Sequence, residues 1–143
     1  MKEKNEKKEL SVPSELSNVP GASAEVLTFL KPAGLSESAL FDIRLCLEEA
    51  LINAIKYGNQ LRKDLNARLL VEYNDHEVKV TVEDRGSGFD PKKVANCTEG
   101  NNLLRGHGRG VHLIRRLMDK VEYNERGNLI RMTKFLNSKR RNP

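Results

Sequence analysis

The stretch Ser36-Glu37-Ser38-Ala39-Leu40-Phe41-Asp42-Ile43-Arg44-Leu45-Cys46-Leu47-Glu48-Glu49-Ala50-Leu51-Ile52-Asn53-Ala54-Ile55-Lys56-Tyr57-Gly58 has the clearest periodicity in the chain. At about 100° per residue, Leu40, Ile43, Leu47, Ala50, Leu51 and Ala54 share one stripe, so the spacing predicts an amphipathic helix over 37–57. Ser36 suits the N-cap, Glu37 the first turn, and Gly58 the C-terminal turn. The apolar stripe is a core face. Asp42, Cys46, Glu49, Asn53 and Lys56 fall together on a different face. Glu49 and Asn53 are i,i+4 neighbours there, so their polar ends can serve one site. An exposed Glu on a helix is ordinarily just solvated. Asn53 asks for a reason, because asparagine competes with the helical backbone for hydrogen bonds.

On the N-terminal side, residues 18–31 are loosely helical through Val19, Val26, Leu27, Phe29 and Leu30, until Pro32 and Gly34 break the pattern. Leu10 to Val12 start a strand that Pro13 ends, and the Lys- and Glu-rich residues 1–9 are expected to fray. On the C-terminal side, Ala67 to Tyr73 and Val78 to Glu83 alternate around Asn74-Asp75-His76-Glu77 and predict a β-hairpin. Residues 90–109 have little periodicity; a loop of that length in a small domain is usually functional. A helical stripe resumes through Val111, Ile114, Leu117 and Met118. A second hairpin follows, over roughly 121–125 and 128–136, turning at Arg126-Gly127. This order predicts an α+β fold, a two-layer sandwich with helices on one face of a mostly antiparallel mixed sheet.

The 143 residues suit one domain. No apolar run is long enough to span a bilayer, and the N-terminus lacks the apolar stretch of a secretory signal. Cys46 and Cys97 make no CxxC pair, so neither a disulfide scaffold nor a structural zinc site is expected, and a cytoplasmic location is. The net charge of +5 is unevenly spread. Lys139, Arg140 and Arg141 in the tail contribute +3, residues 105–120 contribute +4, and the remainder sums to −2. With seven aromatics and no Trp, base stacking has little to work with, and no direct nucleic-acid partner is expected.

Two further motifs bear on chemistry. Gly106-His107-Gly108-Arg109-Gly110 is neither a Walker loop nor a dinucleotide fingerprint. It does lead glycine N–H groups into a helix start near Val111, where anions are favoured, with Arg105 and Arg109 beside it. The plain alternative is a glycine turn. Asp84-Arg85-Gly86-Ser87-Gly88 sits at a strand end. It reads as a turn, or as a pocket floor in which Asp84 accepts a bond from an exocyclic amine such as that of adenine. Gly86 and Gly88 would then let a flat base approach the backbone. A carboxylate and an amide oxygen at Glu49 and Asn53 suit a hard cation such as Mg²⁺.

In order, Glu49-Ala50-Leu51-Ile52-Asn53-Ala54, then Asp84-Arg85-Gly86-Ser87-Gly88-Phe89, then Gly108-Arg109-Gly110 resembles the N, G1 and G2 boxes of GHKL (Bergerat-fold) ATPases. Asp42-Ile43-Arg44-Leu45 before the first box, and Leu113-Ile114 through Leu117-Met118-Asp119 after the last, are similar to the small anti-sigma factor serine/threonine kinases. The resemblance spans about residues 10–136, between the flexible 1–9 and a basic tail at 137–143. It implies that Asn53 holds Mg²⁺ at the ATP phosphates and that Glu49 is the general base toward a serine or threonine hydroxyl. It implies that Asp84 reads the adenine amine with Gly86 beneath the ring and Gly88 in the same loop. Gly106, Gly108 and Gly110 would wrap the phosphates, the 90–109 loop would be the ATP lid, and Arg105 or Arg109 would stabilise the transferred group. The implied partners are an anti-anti-sigma (STAS-domain) protein and a sigma factor, with a homodimer as a family-level expectation and no membrane.

The chain departs from the family pattern in places. Tyr57 stands in the region where many members have His after the N-box Asn. Glu48 points about 100° away from Glu49, which leaves Glu49 as the preferred base. His107 and His112 lack metal-ligand spacing, Cys97 is read as incidental, and Cys46 is expected to line the pocket. The alternative function is a nucleotide-gated binding module with little or no turnover.

Overall fold

The computed structural model describes residues 5–86 and 112–136. Five strands are β1 (Glu6–Pro13), β2 (Asn66–Tyr73), β3 (Glu77–Glu83), β4 (Lys120–Tyr123) and β5 (Leu129–Phe135). They form one sheet in the order β1-β2-β3-β5-β4, and each of the four pairings is antiparallel. The helices α1 (Val19–Leu30) and α2 (Glu37–Asn53) and a third, α3 (112–117), supply the apolar cover of one face. This is the expected α+β sandwich.

The stripe of α2 forms the centre of the core. Ile43, Leu47, Leu51 and Ile55 are fully buried, with Leu69, Val71, Val78, Val80 and Met132 of the sheet in the same core cluster. Val26 and Leu30 of α1 and Ile114 of α3 complete it. Burying such side chains stabilises by about 1.5–3 kcal/mol each. Cys46 is also fully buried in this cluster, and burial pushes its thiol up to about 12. It is a core residue, which corrects the expectation that it lines the pocket: the 42–56 face turns into the core at its N-terminal half. Asp42 on that face accepts a bond from Lys134 of β5 at 2.9 Å. The Lys134 ammonium also donates to the Leu117 carbonyl at 2.6 Å, satisfying an orphan carbonyl at the end of α3.

Two local expectations need correction. Residues 6–9 are strand, with Glu6 opposite Tyr73 and Glu9 opposite Leu70. Their charges, which read as a fraying tail, have partners far along the chain: Lys8 with Glu25 of α1 at 3.1 Å and Glu9 with Arg68 of β2 at 3.0 Å. The end of the main helix differs as well. After Asn53 the backbone widens into a π turn, Ala54–Gly58, closed by the Asn59 N–H on the Ala54 carbonyl at 2.7 Å. Gly58 does not make the left-handed turn. Gln60 (φ 54°) and Leu61 (φ 61°) do, a conformation that costs a non-glycine residue about 1–3 kcal/mol. The N-cap is as expected, with Ser36 Oγ accepting from the Ala39 N–H at 3.0 Å.

Both hairpins form. In the first, Asn74 Oδ1 accepts from the N–H groups of His76 and Glu77. In the second, Asn124 Oδ1 accepts from Gly127, Asn128 and Leu129. Among the described residues no helix is long and apolar enough to cross a membrane.

Candidate functional site

The site is built where the end of β3 meets the end of the main helix. Asp84 follows the last residue of β3 and is largely buried, at 9% exposure. Its Oδ1 accepts from the Gly86 N–H at 2.8 Å, an Asx-type turn that fixes the carboxyl plane. Among the described residues nothing donates to Oδ2. Burial raises the Asp84 pKa above the ordinary carboxylate value; the Gly86 N–H and Arg126 oppose this, and Glu83 adds to it.

Backbone groups of the turn are held from two sides. From the β4–β5 turn, Asn128 Nδ2 donates to the Asp84 carbonyl at 3.0 Å. The Asp84 N–H donates to the Asn128 carbonyl at 2.9 Å, and Arg126 donates to the Gly86 carbonyl at 2.9 Å. From the helix side, Asn59 Oδ1 accepts from the Arg85 N–H at 2.7 Å. Gly58 and Gly86 then allow a close approach. A Cβ on Gly58 would lie 2.7 Å from Asp84 Oδ1 and nearer still to the rest of the carboxyl, and one on Gly86 would collide with the Gly58 carbonyl.

Gly58 ends the π turn that begins directly after Asn53, so the contact with Asp84 joins the two sequence motifs in space. Glu49 and Asn53 are half-buried on α2, one helical turn apart. Among the described residues neither side chain has a hydrogen-bond or ion-pair partner. Burial raises the Glu49 pKa, as expected for a carboxyl shielded from water without a compensating charge. Tyr57 is exposed at 39%, with Lys56 over its ring at 5.4 Å.

Of the sequence candidates, Glu49, Asn53, Asp84 and Gly86 are therefore described, and Asp84 and Gly86 are brought against the helix end. Gly88, Arg105, Gly106, Gly108, Arg109 and Gly110, together with the 90–109 loop, Cys97 and the 137–143 tail, lie outside the described residues. Sequence reasoning missed Gly58, Asn59, Arg126 and Asn128 as site residues. Gly58-Asn59 reads as ordinary helix-end punctuation, and the Asn124–Asn128 turn reads as ordinary hairpin chemistry. Each acquires its role from a contact at least 26 residues away in sequence.

The profile of the histidine kinase-like ATPase domain matches residues 12–134. The chain belongs to that family. Within it, the serine-protein kinase RsbW of Listeria innocua serovar 6a is 34% identical over 119 residues, covering 75% of this chain and 73% of that protein. The serine-protein kinase RsbW of Staphylococcus epidermidis is 30% identical over 131 residues, covering 80% of this chain and 82% of its own. A third, from Staphylococcus aureus strain MRSA252, is 27% identical over 144 residues, covering 95% and 91%. The chain is thus an ATP-dependent serine kinase of the GHKL class, in the anti-sigma factor branch. The fold has a solved counterpart in the RsbU and RsbW domains of Rv1364c from Mycobacterium tuberculosis. The TM-score is 0.62 at 14% identity, over 91% of this chain and 32% of that one.

Proposed function

We propose that this histidine kinase-like ATPase moves the γ-phosphoryl group of ATP onto a serine or threonine hydroxyl of a STAS-domain anti-anti-sigma protein, and sequesters a sigma factor in a cytoplasmic partner-switching system. The observation that carries the reading is Glu49: a half-buried carboxyl with no partner among the described residues, one helical turn from Asn53. Desolvation makes it a stronger base than a solvated carboxylate.

In the proposed step Glu49 takes the hydroxyl proton. The hydroxyl oxygen bonds to the γ-phosphorus as the bridging oxygen–phosphorus bond breaks, and ADP departs. Asp84 accepts from the adenine amine through Oδ2, Gly86 lies beneath the ring with its missing side chain making room for the Gly58 carbonyl, and the small surface of Gly88 admits the ring. Gly106, Gly108 and Gly110 cradle the phosphates, and Arg105 or Arg109 meets the charge on the transferred group.

The donors present suit Mg²⁺. Among the described residues no cluster of three or more His, Cys, Asp or Glu could hold a metal by itself. An ion here would rest on the Asn53 amide oxygen, waters and the phosphates, the sparse protein coordination that Mg²⁺ favours. When bound, it would neutralise developing charge on the phosphate oxygens. A homodimer is proposed from family membership.

Incubation with γ-labelled ATP, Mg²⁺ and a co-encoded STAS-domain protein tests the reading. Label transfer is expected to fall by about 10²–10⁴-fold in Glu49→Gln while ATP still binds. Equal transfer by that variant would remove Glu49 as the base. Absence of transfer by the unaltered protein, with binding of the STAS and sigma partners still dependent on nucleotide, would favour a gated binding module with little turnover.

A further inference from the structure

Between the helix that carries Glu49 and Asn53 and the turn that carries Asp84 lies one buried polar side chain, Asn59, at 1% exposure. Every polar atom of its side chain is used. Oδ1 accepts from the Arg85 N–H at 2.7 Å, and Nδ2 donates to Ser14 Oγ at 3.0 Å. The Ser14 hydroxyl in turn donates to the Leu65 carbonyl at 2.5 Å. The Asn59 backbone N–H closes the π turn on the Ala54 carbonyl. The two residues that follow, Gln60 and Leu61, are both forced left-handed, without glycine's freedom to absorb it. Strain of that kind persists where surrounding contacts over-determine it. Here the Leu61 N–H on the Ile55 carbonyl at 2.8 Å and the Arg62 N–H on the Asn59 carbonyl at 3.0 Å hold the strained pair.

Arg85 sits between Asp84, whose Oδ2 has no donor among the described residues, and Gly86, whose N–H fixes Oδ1. Holding the Arg85 N–H therefore sets the pitch of the whole turn, and with it the direction of that second carboxylate oxygen. The bond comes from the same segment whose Gly58 presses on the Asp84 carboxyl. From this juxtaposition we infer that Asn59 is a positioning residue for adenine recognition, acting through Arg85 to aim Asp84. This rests on the reading of Asp84 as the adenine contact. Asn59 touches neither the phosphates nor the acceptor hydroxyl in this scheme, so its influence is confined to the base end of the nucleotide.

Binding of ATP, and separately of inorganic tripolyphosphate, is measured calorimetrically for the unaltered chain, Asn59→Ala and Asp84→Asn. Asn59→Ala is expected to weaken ATP by about tenfold, the scale of one misplaced hydrogen bond to a charged group, and to leave tripolyphosphate within about twofold. A merely structural asparagine would shift both ligands together or neither, and either result overturns the inference. Asp84→Asn serves as the separate check on the adenine reading. If it leaves ATP binding intact, that reading fails and the inference with it. If it weakens ATP while Asn59→Ala does not, the positioning role alone fails. Should Asn59→Ala not fold, amide hydrogen exchange of the unaltered chain decides. The Arg85 N–H is expected to be protected in the free protein and more so with adenosine, and exchange at an unprotected rate would overturn the role.

Discussion

Asp84 is a single side chain whose burial costs stability at the place where recognition of the base is proposed. Its carboxyl is buried enough to hold its proton more tightly than in the unfolded chain. Folding stability therefore falls as pH rises from the ordinary carboxylate range through the raised value, because the folded state must then carry a desolvated charge. Asp84→Asn removes that charge yet keeps an oxygen for the Gly86 N–H. The nucleotide-free variant is expected to melt higher than the unaltered protein at pH 7–8, with the gap closing in acid, as thermal denaturation across pH would show. ATP affinity should meanwhile drop by about tenfold or more, for the loss of a charge-assisted bond of roughly 1.5–3 kcal/mol. Gly58 gives a second residue-scale test. Helix propensity alone would have Gly58→Ala stabilise by up to about 1 kcal/mol. The collision of its Cβ with the Asp84 carboxyl predicts instead that the variant binds ATP poorly, and titration of both proteins decides between the two expectations.

At the level of the element, the main helix divides into a part legible in the sequence and a part that is not. The stripe through Ile43, Leu47 and Leu51 and the Ser36 cap follow from local spacing and local hydrogen bonding. Ser36→Ala should cost about 1 kcal/mol in denaturant unfolding and leave nucleotide affinity unchanged, since the cap is at the opposite end from Asn53. The π turn at Ala54–Gly58 and the left-handed pair Gln60-Leu61 left no such trace. They exist because the chain must bring Gly58 and Asn59 against Asp84 and Arg85, and residues 26 positions apart do not advertise their meeting in a local pattern. Strand β1 gives the same lesson in charges. Lys8 and Glu9 look like solvated tail until Glu25 and Arg68 are set beside them. Of the candidate positions, Asn53 stands out as a residue type out of place in mid-helix, Asp84 as a turn residue at a strand end, and Glu49 only through its i,i+4 spacing from Asn53. Asn59, Arg126 and Asn128 do not stand out, because asparagine and arginine in turns are commonplace.

Across the whole molecule, one ion pair joins three elements at the core's edge. Lys134 of β5, its side chain at 6% exposure, meets Asp42 of α2 at 2.9 Å and holds the Leu117 carbonyl of α3. Removing one partner leaves the other charge buried without compensation, so Lys134→Met should lower stability by about 3–5 kcal/mol. Pairing it with Asp42→Leu should recover most of that loss, since buried pairs are often replaceable by apolar residues at little net cost. Denaturant midpoints of the single and double variants measure both statements.

The strand order carries a consequence for how this protein is made. Strands β1, β2 and β3 stand side by side, whereas β5, the last of the described strands in chain order, stands between β3 and β4. The turn before β5 supplies Asn128 and Arg126, which grip the Asp84–Gly86 segment. A nascent chain can therefore carry Glu49, Asn53 and Asp84 and still have only the helix side of the frame that holds Asp84. The grip on Asp84 from Asn128 and Arg126 forms only when the β4–β5 hairpin docks on β3, so nucleotide binding is expected to follow that docking.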